Sequence, residues 1–169
     1  MKIVIMGQSG CGKSTLAQFL SRKGNLPLLH LDCVHWLPGW TERDRAESAA
    51  IVTRFLDDHA SWVIDGNYSQ LCRERRLEEA DRIVMMDFPR LVCLSRIIKR
   101  RFSYAGTTRS SITEGCPEKI DAEFLWWILW KGRDHKHREA FRSILEQYAG
   151  KVTLLKSQRE LDHFMEGFV

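Results

Sequence analysis

The segment from Gly7 to Ser14 has the residue types and the spacing of a site for phosphate groups. Its sequence, Gly-Gln-Ser-Gly-Cys-Gly-Lys-Ser, follows an apolar run at residues 3–6 and precedes a helical pattern, the context that a phosphate-binding loop requires. Glycine lets the backbone fold into a cup of N–H groups, and the start of the next helix adds a positive field. We expect Lys13 to bridge the outer phosphates of a nucleoside triphosphate and the Ser14 hydroxyl to ligate Mg²⁺. The residues predicted to contact the nucleotide are Gly7, Ser9, Gly10, Cys11, Gly12, Lys13, Ser14 and Thr15.

Three aspartates stand where predicted strands end, and each has a candidate role. Asp65 is the candidate for holding Mg²⁺ through a water, with capping of the next turn as the alternative. Asp32 is a candidate catalytic residue that orients or deprotonates an acceptor hydroxyl, with a turn-forming role as the alternative. Asp87 is a weaker candidate for holding Mg²⁺, and we interpret it mainly as a cap of the helix that follows it.

Arginines at several positions are candidates for binding phosphate charge. Arg96 and Arg100 are four residues apart, so they share one face of a predicted helix. Phosphoryl transfer depends on positioning and electrostatic stabilisation, so a kinase needs cations there, although a solvated basic helix end would have the same pattern. Arg133 and Arg138 are further candidate cations, and Arg159 is a candidate contact to the base.

The stretch after the second predicted strand supplies candidates for binding a second substrate. Trp36 and Trp40 flank a Pro-Gly turn, and their rings could stack on a base or sugar or pack as a cover over the strand. Together with Asp32 and Arg43 they surround the predicted acceptor mouth. Asn67, just after the third predicted strand, is a further candidate on this side.

Apolar runs alternate with helical patterns along the chain, which favours an α/β fold with a parallel sheet covered on both faces. The strands are predicted at residues 3–6, 28–31, 62–64, 83–86 and 152–155. Ligands bind at the carboxyl ends of the strands in such sheets, so the strand-ending residues should gather beside the phosphates. We predict one domain over residues 1–169, with an acceptor-side insertion at about 32–60 and a lid region at about 102–138.

The spacing of apolar residues predicts which side chains are buried and which segment lies on the surface. Thr41 is predicted to cap a helix that runs to Asp58, with Asp44 at its third position. Residues 102–117 have little periodicity and are interpreted as a mobile surface segment. The predicted inward-facing side chains are Ala46, Ala49, Ala50 and Phe55 on that helix, Leu91, Leu94, Ile97 and Ile98 on the helix that starts at Pro89, and two of Trp126, Trp127 and Trp130.

Composition restricts the class of protein. The 169 residues carry a formal charge of +4, which permits nucleic acid but is explained equally well by a polyphosphate substrate. The five cysteines form no Cys-x-x-Cys pair, so free thiols in a reducing compartment are expected, and Cys11 is interpreted as a small filler of its loop. The longest apolar run, residues 124–130, is far shorter than the roughly 20 residues of a membrane span. We expect a cytoplasmic protein without a membrane partner.

The order of these motifs resembles the nucleoside monophosphate kinases, adenylate kinase above all. The resemblance rests on the phosphate loop, on Trp-Val-Ile-Asp-Gly at 62–66, on Asp-Phe-Pro at 87–89 and on the basic segment at 96–101. It implies a three-layer α/β/α P-loop nucleoside-kinase-like fold, a five-stranded parallel sheet of order 2-3-1-4-5 and a helical or loop lid. An arginine that those kinases place after the Asp-Gly pair is missing, and Arg73, Arg75 or Arg76 could replace it.

A second resemblance covers nearly the whole chain. The segments Leu-Asp-Cys-Val-His-Trp-Leu-Pro-Gly-Trp at 31–40, Asp-Gly-Asn-Tyr-Ser at 65–69 and Glu-Gly-Cys-Pro-Glu at 114–118 are similar to the bacterial topology modulation proteins. These are adenylate-kinase-like ATP binders named for an effect on DNA topology. Membership implies the same fold with ATP and Mg²⁺ as cofactors, while the name establishes no chemical activity.

Two functions remain open at this point. The first is an ATP- and Mg²⁺-dependent phosphotransferase that acts on a small molecule, for example a nucleotide or nucleoside, as a monomer or homodimer. The alternative is an ATP-gated regulatory protein that affects DNA topology by binding DNA without phosphotransfer. No helix-turn-helix or zinc-finger pattern supports the alternative, and the absence of a guanine-reading Asn-Lys-x-Asp motif favours ATP over GTP.

Overall fold

A parallel sheet of five strands lies at the centre of the computed structural model, which describes residues 1–103, 111–116 and 122–168. The strands in chain order are β1 (Lys2–Gly7), β2 (Leu28–His30), β3 (Trp36–Leu37), β4 (Thr41–Glu42), β5 (Trp62–Asp65), β6 (Arg82–Met86) and β7 (Val152–Leu155). The helices are α1 (Lys13–Gly24), α2 (Leu31–His35), α3 (Arg45–Asp58), α4 (Arg73–Glu79), α5 (Arg90–Ser103), α6 (Ala122–Leu129), α7 (His135–Gln147) and α8 (Gln158–Glu166). Short 3₁₀ turns occupy Pro38–Trp40 and Lys131–Arg133.

The central sheet has the strand order β2-β5-β1-β6-β7, and all four of its strand pairs are parallel. The predicted parallel sheet of five strands is confirmed. Its order differs from the predicted 2-3-1-4-5 in the numbering, because β3 and β4 form a separate antiparallel hairpin that the sequence analysis did not predict. That hairpin lies in the predicted acceptor-side insertion.

Helices cover both faces of the sheet, which makes three layers. Ile3 and Ile5 of β1 pack on one face with side chains from α1, α5 and α8. Val4 and Met6, which point to the opposite face, pack with side chains from α2, α3, α4 and α7. Burial on both faces explains why β1 is a continuous apolar run rather than an alternating one.

Helix α3 begins later than predicted and buries a different face. Asp44 is its N-cap, since its carboxylate accepts hydrogen bonds from the backbone N–H groups of Ala46 at 2.9 Å and Glu47 at 3.0 Å. The predicted cap, Thr41, is wrong because that residue belongs to β4. The side chains that enter the core are Ser48, Val52 and Leu56, whereas the predicted Ala46 and Ala50 are exposed.

The predicted burial of two apolar sets is also wrong in part. On α5, Ile97 is fully buried, but Leu91 is 75% exposed and Ile98 is 42% exposed. On the next helix and just beyond it, Trp126 and Trp130 are both more than half exposed, and their rings stack on each other at 4.7 Å. Spacing along a helix shows that side chains share a face, but not that the face meets the core.

Part of the predicted mobile segment is packed against the acceptor-side loop. Residues 111–116 include the buried side chains of Ile112 and Cys116. The Thr113 hydroxyl donates to the backbone oxygens of Cys33 and Trp36, and the backbone N–H of Gly39 donates to the oxygen of Gly115 at 3.0 Å. Of the predicted lid at about 102–138, residues 104–110 and 117–121 lie outside the described residues. The described part consists mainly of the end of α5, this segment, α6, a 3₁₀ turn and the start of α7.

Within the described ranges, no helix is long and apolar enough to cross a lipid bilayer.

Replacing Asp44 with alanine should lower the free energy of unfolding by about 1 kcal/mol, because two backbone N–H groups at the start of α3 lose their acceptor. Thermal unfolding followed by circular dichroism measures the change. Asp58→Ala removes a carboxylate from the other end of the same helix and should not destabilise the protein. Equal destabilisation by both variants would contradict the capping assignment.

Candidate functional site

The loop between β1 and α1 contains three glycines with positive φ, and at two of them a side chain would also clash with backbone. Gly7 has φ +147°, and a Cβ atom there would lie 2.3 Å from the backbone oxygen of Met86. Gly10 has φ +80°, and its Cβ would lie 2.6 Å from the backbone oxygen of Cys93. Both distances are shorter than real Cβ contacts, so strand β6 and helix α5 press directly on the loop. The glycines of the motif therefore provide close packing as well as the cup-like turn.

Lys13 lies in the first turn of α1 and reaches back across the loop. Its ammonium donates to the backbone oxygen of Gln8 at 3.0 Å, and the N–H of Cys11 donates to the same oxygen at 3.3 Å. An ammonium group carries three donors, so two remain for phosphate oxygens. The predicted contacts Ser9, Ser14 and Thr15 lie in the same loop and helix start, where only Thr15 is exposed.

Asn67 holds the start of the loop in place. Its side-chain amide donates to the Gly7 oxygen at 2.6 Å, and its side-chain oxygen accepts from the Gly7 N–H at 3.0 Å. From the sequence, Asn67 was predicted to contact a substrate. The structure instead engages both polar atoms of its side chain with the phosphate loop.

Asp65 ends β5 at the position paired with Ile5 of β1, beside the loop. It is buried, and one of its carboxylate oxygens lies 3.1 Å from Nδ1 of His30, the last residue of β2. In the described part of the chain, no three His, Cys, Asp or Glu side chains are grouped as a metal cage. One carboxylate together with the Ser14 hydroxyl fits Mg²⁺, which binds through one or two protein groups, phosphates and waters. It does not fit a resident metal held by protein alone.

Arg96 connects α5 to the phosphate loop. Its guanidinium donates to the backbone oxygen of Cys11 at 2.6 Å, lies 4.7 Å from the centre of the Phe88 ring and also contacts the side chain of Gln158 in α8. Arg100 follows one turn later and is half-buried. Arg159 is exposed in the first turn of α8, next to the Gln158 that contacts Arg96.

A cationic cavity of about 340 Å³ borders the loop on the side of β6 and β7. Gln8 and Asp87 form part of its wall, so Asp87, predicted mainly as a helix cap, lies beside the loop. The cationic side chains in the wall are Arg90, Arg133, Arg138, Arg142 and Lys156, with His137 beside them. Arg133 is partly engaged, since it donates to the backbone oxygen of Phe88 at 2.7 Å and lies 3.4 Å from the Asp87 carboxylate. Arg90 and Arg142 were missed because they become neighbours only when α5 and α7 pack on the sheet.

A second cavity of about 340 Å³ lies on the side of β2 and β5, in the predicted acceptor region. Arg43 lines it, donating to the backbone oxygen of Val34 at 2.8 Å and to Glu47 at 2.7 Å. Neither Trp36 nor Trp40 is among the described residues that line it, and their rings pack edge to face at 5.4 Å. The two rings thus pack on each other, as the covering alternative predicts, and their contact with a substrate stays a prediction.

Asp32 lies in the first turn of α2 rather than at the end of a strand. The Tyr68 hydroxyl donates to its carboxylate at 2.8 Å, and the Tyr68 ring contacts His35 of the acceptor-side cavity. Burial, with the neighbouring Asp32 charge as a second cause, raises the pKa of Tyr68, so it stays a donor at neutral pH. Sequence reasoning missed Tyr68, because nothing in the local pattern brings it to a residue 36 positions earlier.

The arginines considered as replacements for the missing one have structural partners. Arg76 is fully buried, and its guanidinium donates to the backbone oxygens of Leu71 and Tyr68, both at 2.7 Å. Burial lowers its pKa to about 10, which leaves it charged at neutral pH. Arg75 is bound to Asp57 and Glu79, each at 2.6 Å. Arg76 thus shapes the loop after β5.

Comparisons with known proteins agree with this architecture. A family model described as an AAA domain matches residues 3–125. A gluconokinase from Sinorhizobium meliloti 1021 is similar in structure, with a TM-score of 0.56 and 18% sequence identity over 98% of this chain and 87% of that chain. A deoxyadenosine kinase from M. mycoides with bound dATP has a TM-score of 0.55 and 13% identity over 98% of each chain. No curated protein matches the sequence. These likenesses show a P-loop kinase-like fold, and the resemblance to topology modulation proteins stays a prediction.

Asn67→Ala should weaken nucleotide binding, because both hydrogen bonds that fix Gly7 are lost. We expect a Kd for MgATP about five- to thirtyfold higher, from one or two net hydrogen bonds of about 1 kcal/mol each. Isothermal titration calorimetry measures the change. Ser69→Ala, two residues away and exposed, is the matched control and should bind MgATP as the parent protein does.

Cysteine alkylation tests the burial of the loop. Desolvation raises the pKa of Cys11 in spite of the nearby Lys13 and Arg96, and burial likewise raises the pKa of Cys93. A raised pKa means less thiolate, so at pH 8 iodoacetamide should modify the half-buried Cys33 and Cys72 well before these two. Peptide mass spectrometry gives the order. Modification of Cys11 first would show that the loop is open and the thiol activated.

Proposed function

We propose that this protein is an ATP- and Mg²⁺-dependent phosphotransferase that acts on a small molecule. The chain belongs to the AAA domain family, whose model matches most of it. The observation that carries the proposal is the contact between Arg96 and the backbone of the phosphate loop. This contact holds a guanidinium against the loop, next to the place where phosphate would bind. It is what a phosphoryl-transfer site needs, since that chemistry consists mainly of positioning and charge stabilisation.

On this proposal the donor nucleotide lies in the loop. The loop N–H groups and Lys13 bind the phosphate oxygens, and Arg96 neutralises charge as it develops on the transferring group. Ser14 and Asp65 would hold Mg²⁺, which when bound supplies charge neutralisation between the outer phosphates. The cationic cavity beside Gln8 supports the proposal because its wall surrounds a small volume with positive charge.

The acceptor side supplies a base. The Asp32 carboxylate receives a hydrogen bond from Tyr68, which fixes its orientation and leaves its other oxygen to accept a proton. A carboxylate at this place suits a hydroxyl nucleophile. Nucleosides, nucleotides and sugars all carry such a hydroxyl.

The alternative function, regulation through DNA binding, has less support. The cations beside the loop line a cavity of about 340 Å³, a size that suits a small molecule. A duplex requires an extended basic surface instead.

The proposal is tested by mixing the protein with MgATP and a panel of nucleosides, nucleotides, sugars and sugar acids while ADP formation is recorded. ADP release that depends on an acceptor supports it. MgATP binding with no acceptor-stimulated turnover across the panel would leave a nucleotide-binding protein without the proposed activity. Failure of MgATP to bind would remove the assignment altogether.

Arg96→Ala should lower kcat by about 10³-fold with a smaller effect on the KM for ATP, because the guanidinium acts most strongly on the transition state. Arg101→Ala is the matched control, since this exposed arginine at the end of the same helix should leave kcat unchanged. Lys13→Ala should abolish turnover. Equal kinetic effects of the Arg96 and Arg101 variants would contradict the assigned role.

A further inference from the structure

The acceptor-side cavity has a composition unlike that of an ordinary ligand pocket. Its wall, among the described residues, consists of two serines, a glutamine, a histidine, a glutamate and two arginines, with Leu71 as the single apolar residue. Small-molecule pockets are mostly lined by hydrophobic and aromatic side chains. A wall made of hydrogen-bond donors and acceptors instead fits a ligand that is rich in hydroxyl groups.

A short piece of chain, residues 67–70, connects the cavity to the phosphate loop. Asn67 is hydrogen-bonded to Gly7 at one end of this piece, and Ser69 and Gln70 line the cavity at the other. Two residues span at most roughly 7 Å. Arg76, fully buried below, fixes the conformation of the same loop through the backbone oxygens of Tyr68 and Leu71. The wall is therefore rigidly connected to the place where phosphate would bind.

Nothing in the described wall offers a flat face to a nucleobase. The Trp36 ring packs edge to face against Trp40 at 5.4 Å and against His35 at 4.6 Å. The Tyr68 ring lies 4.6 Å from His35, and its hydroxyl is engaged with Asp32. Stacking on an aromatic ring is the usual way to hold a base, and these rings are used for packing.

The charged side chains of the wall are Glu42, whose carboxylate lies 3.8 Å from Nε2 of His35, and two arginines. Arg43 is engaged with Glu47 and with the backbone of Val34. Arg45, the first residue of α3, is exposed and makes no hydrogen bond or ion pair with the described part of the chain. It is therefore available to a carboxylate or phosphate of a ligand.

We propose that the acceptor is a sugar-like molecule with several hydroxyls and one carboxylate or phosphate, bound in this cavity with Arg45 on its anionic group and with no recognition of a base. This rests on the proposed function. In the transfer, an acceptor hydroxyl oxygen bonds to the γ-phosphorus of ATP while the bond from that phosphorus to the β–γ bridging oxygen breaks. The hydroxyl proton passes to the Asp32 carboxylate, and ADP leaves with the bridging oxygen.

The experiment compares ligands that differ in whether they carry a base, a phosphate or a carboxylate. The full-length protein, with its donor site saturated by a non-hydrolysable MgATP analogue, is titrated calorimetrically with ribose 5-phosphate, ribose, AMP and glucuronate. We expect AMP to bind no more than about threefold tighter than ribose 5-phosphate, and ribose to bind at least about tenfold weaker because it lacks the charged group. Comparison of glucuronate with ribose 5-phosphate shows whether the site prefers a carboxylate or a phosphate.

Two variants on one helix test the role of Arg45. Arg45→Ala should lower the affinity for the preferred anionic sugar about tenfold and leave the affinity for ribose unchanged. Arg54→Ala, at an exposed position of the same helix, should change neither affinity. AMP binding more than tenfold tighter than ribose 5-phosphate, an Arg45→Ala variant with unchanged affinity, or no binding of any sugar would each overturn the proposal. Failure of the ATP analogue to bind counts against the proposed function instead, and the sugar titrations are then performed without it.

Discussion

The pair of hydrogen bonds between Asn67 and Gly7 is the interaction on which the site depends. It joins the end of β5 to the end of β1 at the residue where the phosphate loop begins. The phosphate loop on one side and the acceptor cavity on the other are thereby both connected to these two residues. Without this connection the two strands would still pair, but the first residue of the phosphate loop would lose both of its hydrogen bonds to the segment after β5.

The positive charge of the protein is unevenly divided between the two cavities. The one beside β6 and β7 has five arginine and lysine side chains in its wall and a single aspartate, while the acceptor cavity has a mixed wall. An electrostatic gradient of this kind orients a polyphosphate with its charged end toward the loop. On the proposed function, it would also keep a weakly charged acceptor from competing for the donor position, because only the polyphosphate gains from the concentrated cations.

The features that were predictable from sequence are those encoded in short stretches. The phosphate loop and the five central strands were identified because a motif or an apolar run of a few residues determines each of them. The hydrogen bond from Tyr68 to Asp32 and the buried position of Arg76 could not be predicted, because both depend on residues that the fold brings together. The exposed Trp126 and Trp130 show a further limit, since helical periodicity identifies a face without revealing what that face contacts.

Residues 111–116 have a consequence for how the two substrates can enter. Thr113 and Gly115 are bonded to the backbone of the loop that carries the indole pair, so the two segments form one mechanical unit. A displacement that exposes the acceptor side must either break these bonds or carry both segments together. On the proposed function, admission of the acceptor and shielding of the nucleotide from water would be coupled through these bonds.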